Sequence, residues 1–235
     1  MSVRLNLLRG FELLCDDVRV SLPLASQRLL AFLALQQRPM LRIYVAGALW
    51  LDASESRSYA NLRSALWRLR QPGHPVVVAT PTHLALHDDV EVDVHLAIES
   101  SRRALAPAGT GVLVDGDDLA GELLPDWYDD WVEDDRRRLR QLRLHALEAI
   151  AEQLLEQGRF GQAVDASLLA IRIDPLRESA QRLLIRTYAA EGNWNEALDQ
   201  YRSWSRRLRA ETGLEPSDRM HALLDDLLGR VRRAG

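Results

Sequence analysis

The residues best suited to chemistry form one stretch of regular spacing: Arg57, Asn61, Ser64, Arg68 and Gln71. Steps of four, three, four and three align them along one face of an α-helix. Each can hydrogen-bond to a base edge or a phosphate, and no acid interrupts the set. The opposite face carries Leu62, Leu66 and Leu69, an apolar row at i, i+4 and i+7. A helix that packs with one side and offers cations and amides with the other suits the major groove of DNA. Arg63 and Arg70 flank the polar row, with Trp67 beside them.

The surrounding elements must hold that helix. Its predicted span is Asp52 to Gln71. Asp52 or Ser54 caps its start, and Glu55 three residues after Asp52 resembles a capping box. Pro72-Gly73 ends it. Upstream, Ser26 caps a first helix running through Gln37, with Leu29, Leu30, Phe32 and Leu33 inward. A second, short helix covers about Arg42 to Trp50 and buries Val45 and Leu49. Downstream, 76–79 and 84–86 flank Thr80-Pro81-Thr82-His83 as a hairpin. Strand-like runs at 3–8, 11–14 and 18–22, punctuated by Gly10 and Asp16-Asp17, predict a small antiparallel sheet. Three helices and a hairpin make a winged helix-turn-helix domain, assigned to residues 1–90.

In that arrangement Thr82 and His83 at the wing join the candidate DNA contacts, for phosphates or the minor groove. Trp67 is expected to pack on the wing rather than on the DNA backbone. Ser26, Gln27 and Arg28 begin a helix, where anions are favoured, so they can meet a phosphate, and Arg28 can equally stay in solvent.

Charge is distributed to match. The chain of 235 residues has a net charge of −4. Residues 1–87 sum to +5 and residues 88–235 to −9. A basic head on an acidic remainder permits phosphate binding, because attraction is screened beyond about 8–10 Å.

Past His87 the pattern turns helical, with Asp93 as N-cap of a helix to Ala104. Further helices are predicted over 126–157, 160–173, 176–191, 194–210 and 216–232. Gly158 and Gly192 stand 34 residues apart, as do Phe160 and Trp194, Ala163 and Ala197, and Leu154 and Tyr188. This Gly-x-aromatic-x-x-Ala repeat at period 34 is the tetratricopeptide signature. The expected fold is mainly α with a small β component: the winged helix, then a tetratricopeptide-like α-helical domain over 91–235.

No residue set points to an enzyme. A phosphate-binding glycine loop, a nucleophile elbow and a His-Glu-x-x-His are all missing from the sequence. No catalytic, cofactor or metal site is assigned. His87, Asp89, Asp93 and His95 have ligand-type side chains, but capping by Asp93 turns His95 away. Asp115-Gly116-Asp117-Asp118 is too short for a calcium loop. One cysteine, Cys15, allows no internal disulfide. The acidic run from Asp126 to Asp135 precedes Arg136, Arg137, Arg138 and Arg140 and reads as a solvated face, with a polymerase or partner contact as the alternative. Trp127, Tyr128 and Trp131 could wall a ligand pocket, though core packing explains them equally. No apolar run spans a membrane and the start lacks a secretory signal, so the expected compartment is the cytoplasm.

The whole chain resembles the Streptomyces antibiotic regulatory protein (SARP) family of transcriptional activators. The matching stretches are Gly10-Phe11-Glu12-Leu13, Gln27-Arg28-Leu29-Leu30-Ala31, Ala48-Leu49-Trp50 and Asn61-Leu62-Arg63-Ser64-Ala65-Leu66-Trp67-Arg68-Leu69-Arg70. Later come Val92-Asp93, Trp131 with Arg138-Leu139, Pro175-Leu176-Arg177-Glu178, Ala197-Leu198-Asp199-Gln200-Tyr201 and Glu211-Thr212-Gly213-Leu214-Glu215-Pro216. The resemblance implies a bacterial transcriptional activator domain and binding to direct repeats in promoter double-stranded DNA. It also implies head-to-tail pairs of this chain, a homodimer on DNA, and recruitment of RNA polymerase. Control of secondary metabolism or a neighbouring gene cluster belongs to the same expectation, with no ATPase or sensor domain following. Two departures stand out. Thr82-His83 replaces a usual Gly-Tyr pair at the wing, and Tyr59, Asn61, Arg63 and Trp67 replace the small, Thr and Gln residues usual on the third helix. These departures leave open an alternative, a tetratricopeptide-type scaffold whose head has lost DNA binding.

Overall fold

The computed structural model describes residues 2–70, 75–106, 119 and 121–234. Gln71 and the stretch 115–118 lie outside the described residues. The chain divides into two compact units, Met1–Ala97 with Gly121–Leu139, and Ile98–Ala120 with Arg140–Gly235.

The first unit opens with β1 (Val3–Asn6), β2 (Glu12–Cys15) and β3 (Val18–Arg19). Val3 and Leu5 are buried and Arg4 is exposed, the alternation of a one-sided strand. Asp16 and Asp17 both take positive φ, 47° and 64°, as the tight turn between β2 and β3 requires. Then follow α1 (Leu24–Gln36), β4 (Met40–Leu41), α2 (Arg42–Leu49), α3 (Glu55–Leu69), β5 (Val77–Ala79), β6 (His83–Leu86) and β7 (Val90–Val92). The wing is three-stranded, in the order β4-β6-β5. The other sheet is ordered β3-β2-β1-β7. Its first three strands are antiparallel as expected, but β7 joins β1 in parallel, which local pattern did not show.

Asp93 begins α4 (Asp93–Ala104) and does more than cap it. Its carboxylate accepts the N–H of Val94 at 2.7 Å, of Leu7 at 2.9 Å and of Leu8 at 2.9 Å. Burial pushes its pKa up, against the pull of these three amides. His95 places Nε2 2.7 Å from the Ala34 carbonyl oxygen.

Two expected caps are not used. α1 starts two residues before Ser26, after Pro23. Ser26 is fully buried and donates to the Ala65 carbonyl on α3 at 3.2 Å. α3 begins at Glu55 with Ser54 preceding it, so Asp52 and Glu55 form no capping box. Ser58 on the first turn of α3 instead donates back to the Ser54 carbonyl at 3.1 Å.

The helix expected from residue 126 begins later, as α5 (Asp130–Glu156). Residues before it lie along the sheet: Leu8 bridges Leu123, and the Leu124 N–H donates to Leu7 at 2.9 Å. Trp127 stacks on Phe11 at 6.0 Å, while Trp131 meets Phe32 edge-on at 5.2 Å. These rings pack a core; Tyr128 alone of the trio is open, 91% exposed. Arg136 donates to the carbonyls of Leu123, Leu124 and Trp127, and it also pairs with Glu133. Arg28 pairs with Asp129, so it is not held ready for a phosphate.

The second unit contains α6 (Phe160–Ile173), α7 (Glu178–Glu191), α8 (Trp194–Thr212) and α9 (Asp218–Ala234). The repeat read from the sequence is a repeat of backbone geometry. Gly158 and Gly192 sit at φ 72° and 95° after a helix end. The next residue closes the same loop in each: Arg159 N–H to the Leu154 carbonyl at 2.9 Å, and Asn193 N–H to Tyr188 at 2.8 Å. Both are Schellman closures, which need a left-handed residue that glycine adopts without strain. Ala163 and Ala197 are fully buried, leaving no room for a larger side chain at the helix contact.

The Pro-Leu-Arg-Glu segment is a structural tie. Arg177 forks onto Glu148 of α5, Nε at 2.6 Å and Nη2 at 2.9 Å, and Ser179 donates to the same carboxylate. Glu178 accepts the N–H of Ser217 at 2.9 Å and its hydroxyl, just before α9. Burial raises the Glu148 pKa, but the Arg177 fork and the Ser179 hydroxyl outweigh it and hold the carboxyl below its ordinary value.

Two stability outcomes follow from these ties. Asp93→Ala strands two amides of the β1 end and costs about 2–4 kcal/mol, read by urea denaturation. Glu148→Gln costs about 1–3 kcal/mol at neutral pH. Because the folded pKa of Glu148 is depressed, its contribution is full above the unfolded value and fades as pH falls through the folded one. The gap between wild type and Glu148→Gln therefore narrows in acid; a gap constant with pH contradicts the assignment.

Candidate nucleic-acid interface

α3 is two-sided. Leu62, Ala65, Leu66 and Leu69 are buried against the rest of the unit, and the Ser26 bond fixes the helix at Ala65. Burying three leucines contributes roughly 1.5–3 kcal/mol each, which holds the helix as a rigid rod. The opposite arc is open. Arg57, Arg63, Ser64, Arg68 and Arg70 are exposed, and Asn61 is half-buried at the edge.

The arginines of this arc differ from others in the same unit. Arg4, Arg19, Arg28 and Arg136 each have a carboxylate within ion-pair distance. Among the described residues, none pairs with Arg57, Arg63, Arg68 or Arg70. Their donors are therefore available to an outside acceptor.

The wing tip is ordered by its own side chains. The Thr80 hydroxyl accepts the His83 N–H at 2.9 Å, and the Thr80 N–H donates to the His83 carbonyl at 2.9 Å. Thr82 Oγ1 lies 2.9 Å from His83 Nδ1. Thr82 is exposed and His83 half-buried. Arg42 was not among the sequence candidates. At the start of α2, its N–H donates to the Thr82 carbonyl at 2.9 Å and its guanidinium to the Thr80 carbonyl at 3.0 Å. It stitches the wing tip to the helix-turn-helix and adds a cation there. Its position right after the β-type pair Met40-Leu41 was the available signal.

Trp67, expected to pack on the wing, is 55% exposed, and the Arg68 guanidinium carbon lies 4.9 Å from its ring centroid. Gln71, the last member of the polar row, lies outside the described residues. Among the described residues, no group of three or more His, Cys, Asp or Glu could hold a metal ion, and no helix is long and apolar enough to cross a membrane.

A three-helix unit with a stranded wing, joined in sequence to helices built on a 34-residue repeat, defines a winged-helix protein with a tetratricopeptide-like domain. Residues 88–228 match the family model of the bacterial transcriptional activator domain, well over half the chain. The chain belongs to that family and is a transcriptional regulator of the SARP type. It is 28% identical over 192 residues to regulatory protein AfsR of Streptomyces coelicolor, covering 77% of this chain and 19% of that protein. To AfsR of Streptomyces griseus it is 25% identical over 230 residues, covering 94% and 23%. To transcriptional regulatory protein MoaR1 of Mycobacterium tuberculosis it is 22% identical over 261 residues, covering 99% and 84%. The chain thus spans about a fifth of the AfsR proteins' length. Among solved structures, Mycobacterium tuberculosis EmbR in complex with a low affinity phosphopeptide matches with a TM-score of 0.73 and 23% identity, over 97% of this chain and 65% of that one. That likeness shows the fold.

Proposed function

We propose that this protein is a sequence-specific DNA-binding transcriptional activator. α3 enters the major groove of a promoter duplex, with Asn61, Ser64, Arg68 and Arg57 toward base edges, and Gln71 continuing the row. Arg63, Arg70 and the wing residues Thr82 and His83 hold phosphates or the minor groove. The observation that carries this reading is the open arc of α3, where four arginines that pair with no carboxylate among the described residues lie opposite a face anchored by three leucines. Family membership adds direct-repeat sites, two copies bound head to tail, and contact with RNA polymerase. The protein works by binding rather than by catalysis, and in the cytoplasm where its DNA is.

The test is footprinting and affinity measurement on DNA fragments selected from genomic sequence by the wild-type protein. Arg68→Ala weakens the preferred site by about 1–3 kcal/mol and relaxes one base position. Arg63→Ala weakens all duplexes alike and lowers the salt slope by about one. Binding without salt dependence, or equal protection by wild type and Arg68→Ala, overturns the assignment. Capture of a protein partner with no DNA affinity at any salt would instead favour a scaffold.

A further inference from the structure

The recognition reading above leaves Trp67 without a role. It is a large apolar ring on the exposed arc of α3, and its contact is with Arg68. Consecutive residues on a helix project about 100° apart, so they do not meet by default. The Arg68 side chain must fold back to place its guanidinium 4.9 Å from the ring centroid, inside the range of about 6 Å for cation–π attraction.

The chemistry of that contact matters. A carboxylate partner would consume the guanidinium's N–H donors. An aromatic face offers no carboxylate oxygen, so the contact does not consume the guanidinium's donors in an ion pair. It restricts the arginine's rotamers and leaves donors for another acceptor. Arginine is among the most rotamer-rich side chains, and ordering it before DNA arrives removes part of the cost of ordering it at the groove. A guanine edge, with O6 and N7 as paired acceptors, is the complement of two such donors.

We propose that Trp67 is a positioning residue that holds Arg68 ready for a guanine. This rests on α3 being the DNA-reading helix. The ligand class is a duplex carrying guanine at the position facing Arg68.

The experiment uses the full chain and the duplex selected by wild type, with 7-deazaguanine replacing guanine at each position in turn. Wild type, Trp67→Leu, Trp67→Phe, Arg68→Ala and the double variant Trp67→Leu/Arg68→Ala are compared. Trp67→Leu loses roughly two- to fivefold in affinity, and Trp67→Phe keeps most of it. The salt slope stays unchanged, because no charge is removed. In the Arg68→Ala background, Trp67→Leu has no further effect, and the penalty for 7-deazaguanine at one position shrinks in both single variants. In DNA-free protein, the Arg68 Hδ protons show an upfield ring-current shift that Trp67→Leu abolishes. An equal loss from Trp67→Leu in both backgrounds, or no ring-current shift, overturns the positioning role while DNA binding stands. A wild type with the ring-current shift but no salt-dependent affinity for any duplex overturns the recognition reading, and this role with it.

Discussion

The carboxylate of Asp93 closes the circuit on which the first unit depends. It accepts the amides of Leu7 and Leu8 at the end of β1, while Val90–Val92 pairs in parallel with the same strand. Everything between, from the β2–β3 hairpin through the three helices to the wing, is one excursion that leaves β1 and returns to it. Joining ends so far apart in sequence costs loop entropy, which grows slowly with length, so a short ladder and the amides of Leu7 and Leu8 on one carboxylate suffice to hold it. Withdrawal of this carboxylate from water pushes its pKa up despite the amides it accepts.

Within the first unit, arginine serves two ends. Arg136 binds three backbone carbonyls and Glu133, and Arg28 pairs with Asp129; both hold the 121–139 segment in place. Among the described residues the arginines of α3 have no such partners, and they are exposed. The separation is made by acid placement: the carboxylates lie mostly after residue 87, and none falls on the open arc of α3. A negative total charge is therefore compatible with a local surface suited to polyanions.

The sequence carried most of the helical architecture. α6 spans the residues expected of it, because Gly158, the aromatic and the buried alanine recur in the next helix pair. The two-sidedness of α3 was equally visible, since Leu62, Leu66 and Leu69 alternate with the polar row by helical period. Misses came where tertiary partners decide. Ser26 has the chemistry of a cap, but a buried acceptor at Ala65 claims its hydroxyl. Residues 126–129 have helix-compatible composition, yet Phe11 draws Trp127 onto the sheet. β7 has no local signature of parallel pairing, because its partner lies more than eighty residues earlier. The Trp67 ring carries the guanidinium of its own neighbour, Arg68, a contact that helical spacing gives no reason to expect.

The parallel pairing of β1 with β7 has a consequence for synthesis. As the polypeptide emerges from the ribosome, β1 can hairpin with β2 at once, but its other edge stays unmatched until residue 92 has cleared the exit tunnel. Only then does the amino-terminal sheet acquire its last member. Maturation of this module is thus timed by translation of the entire helix-turn-helix and wing, and a nascent chain stalled before that point exposes a bare strand edge, open to erroneous pairing.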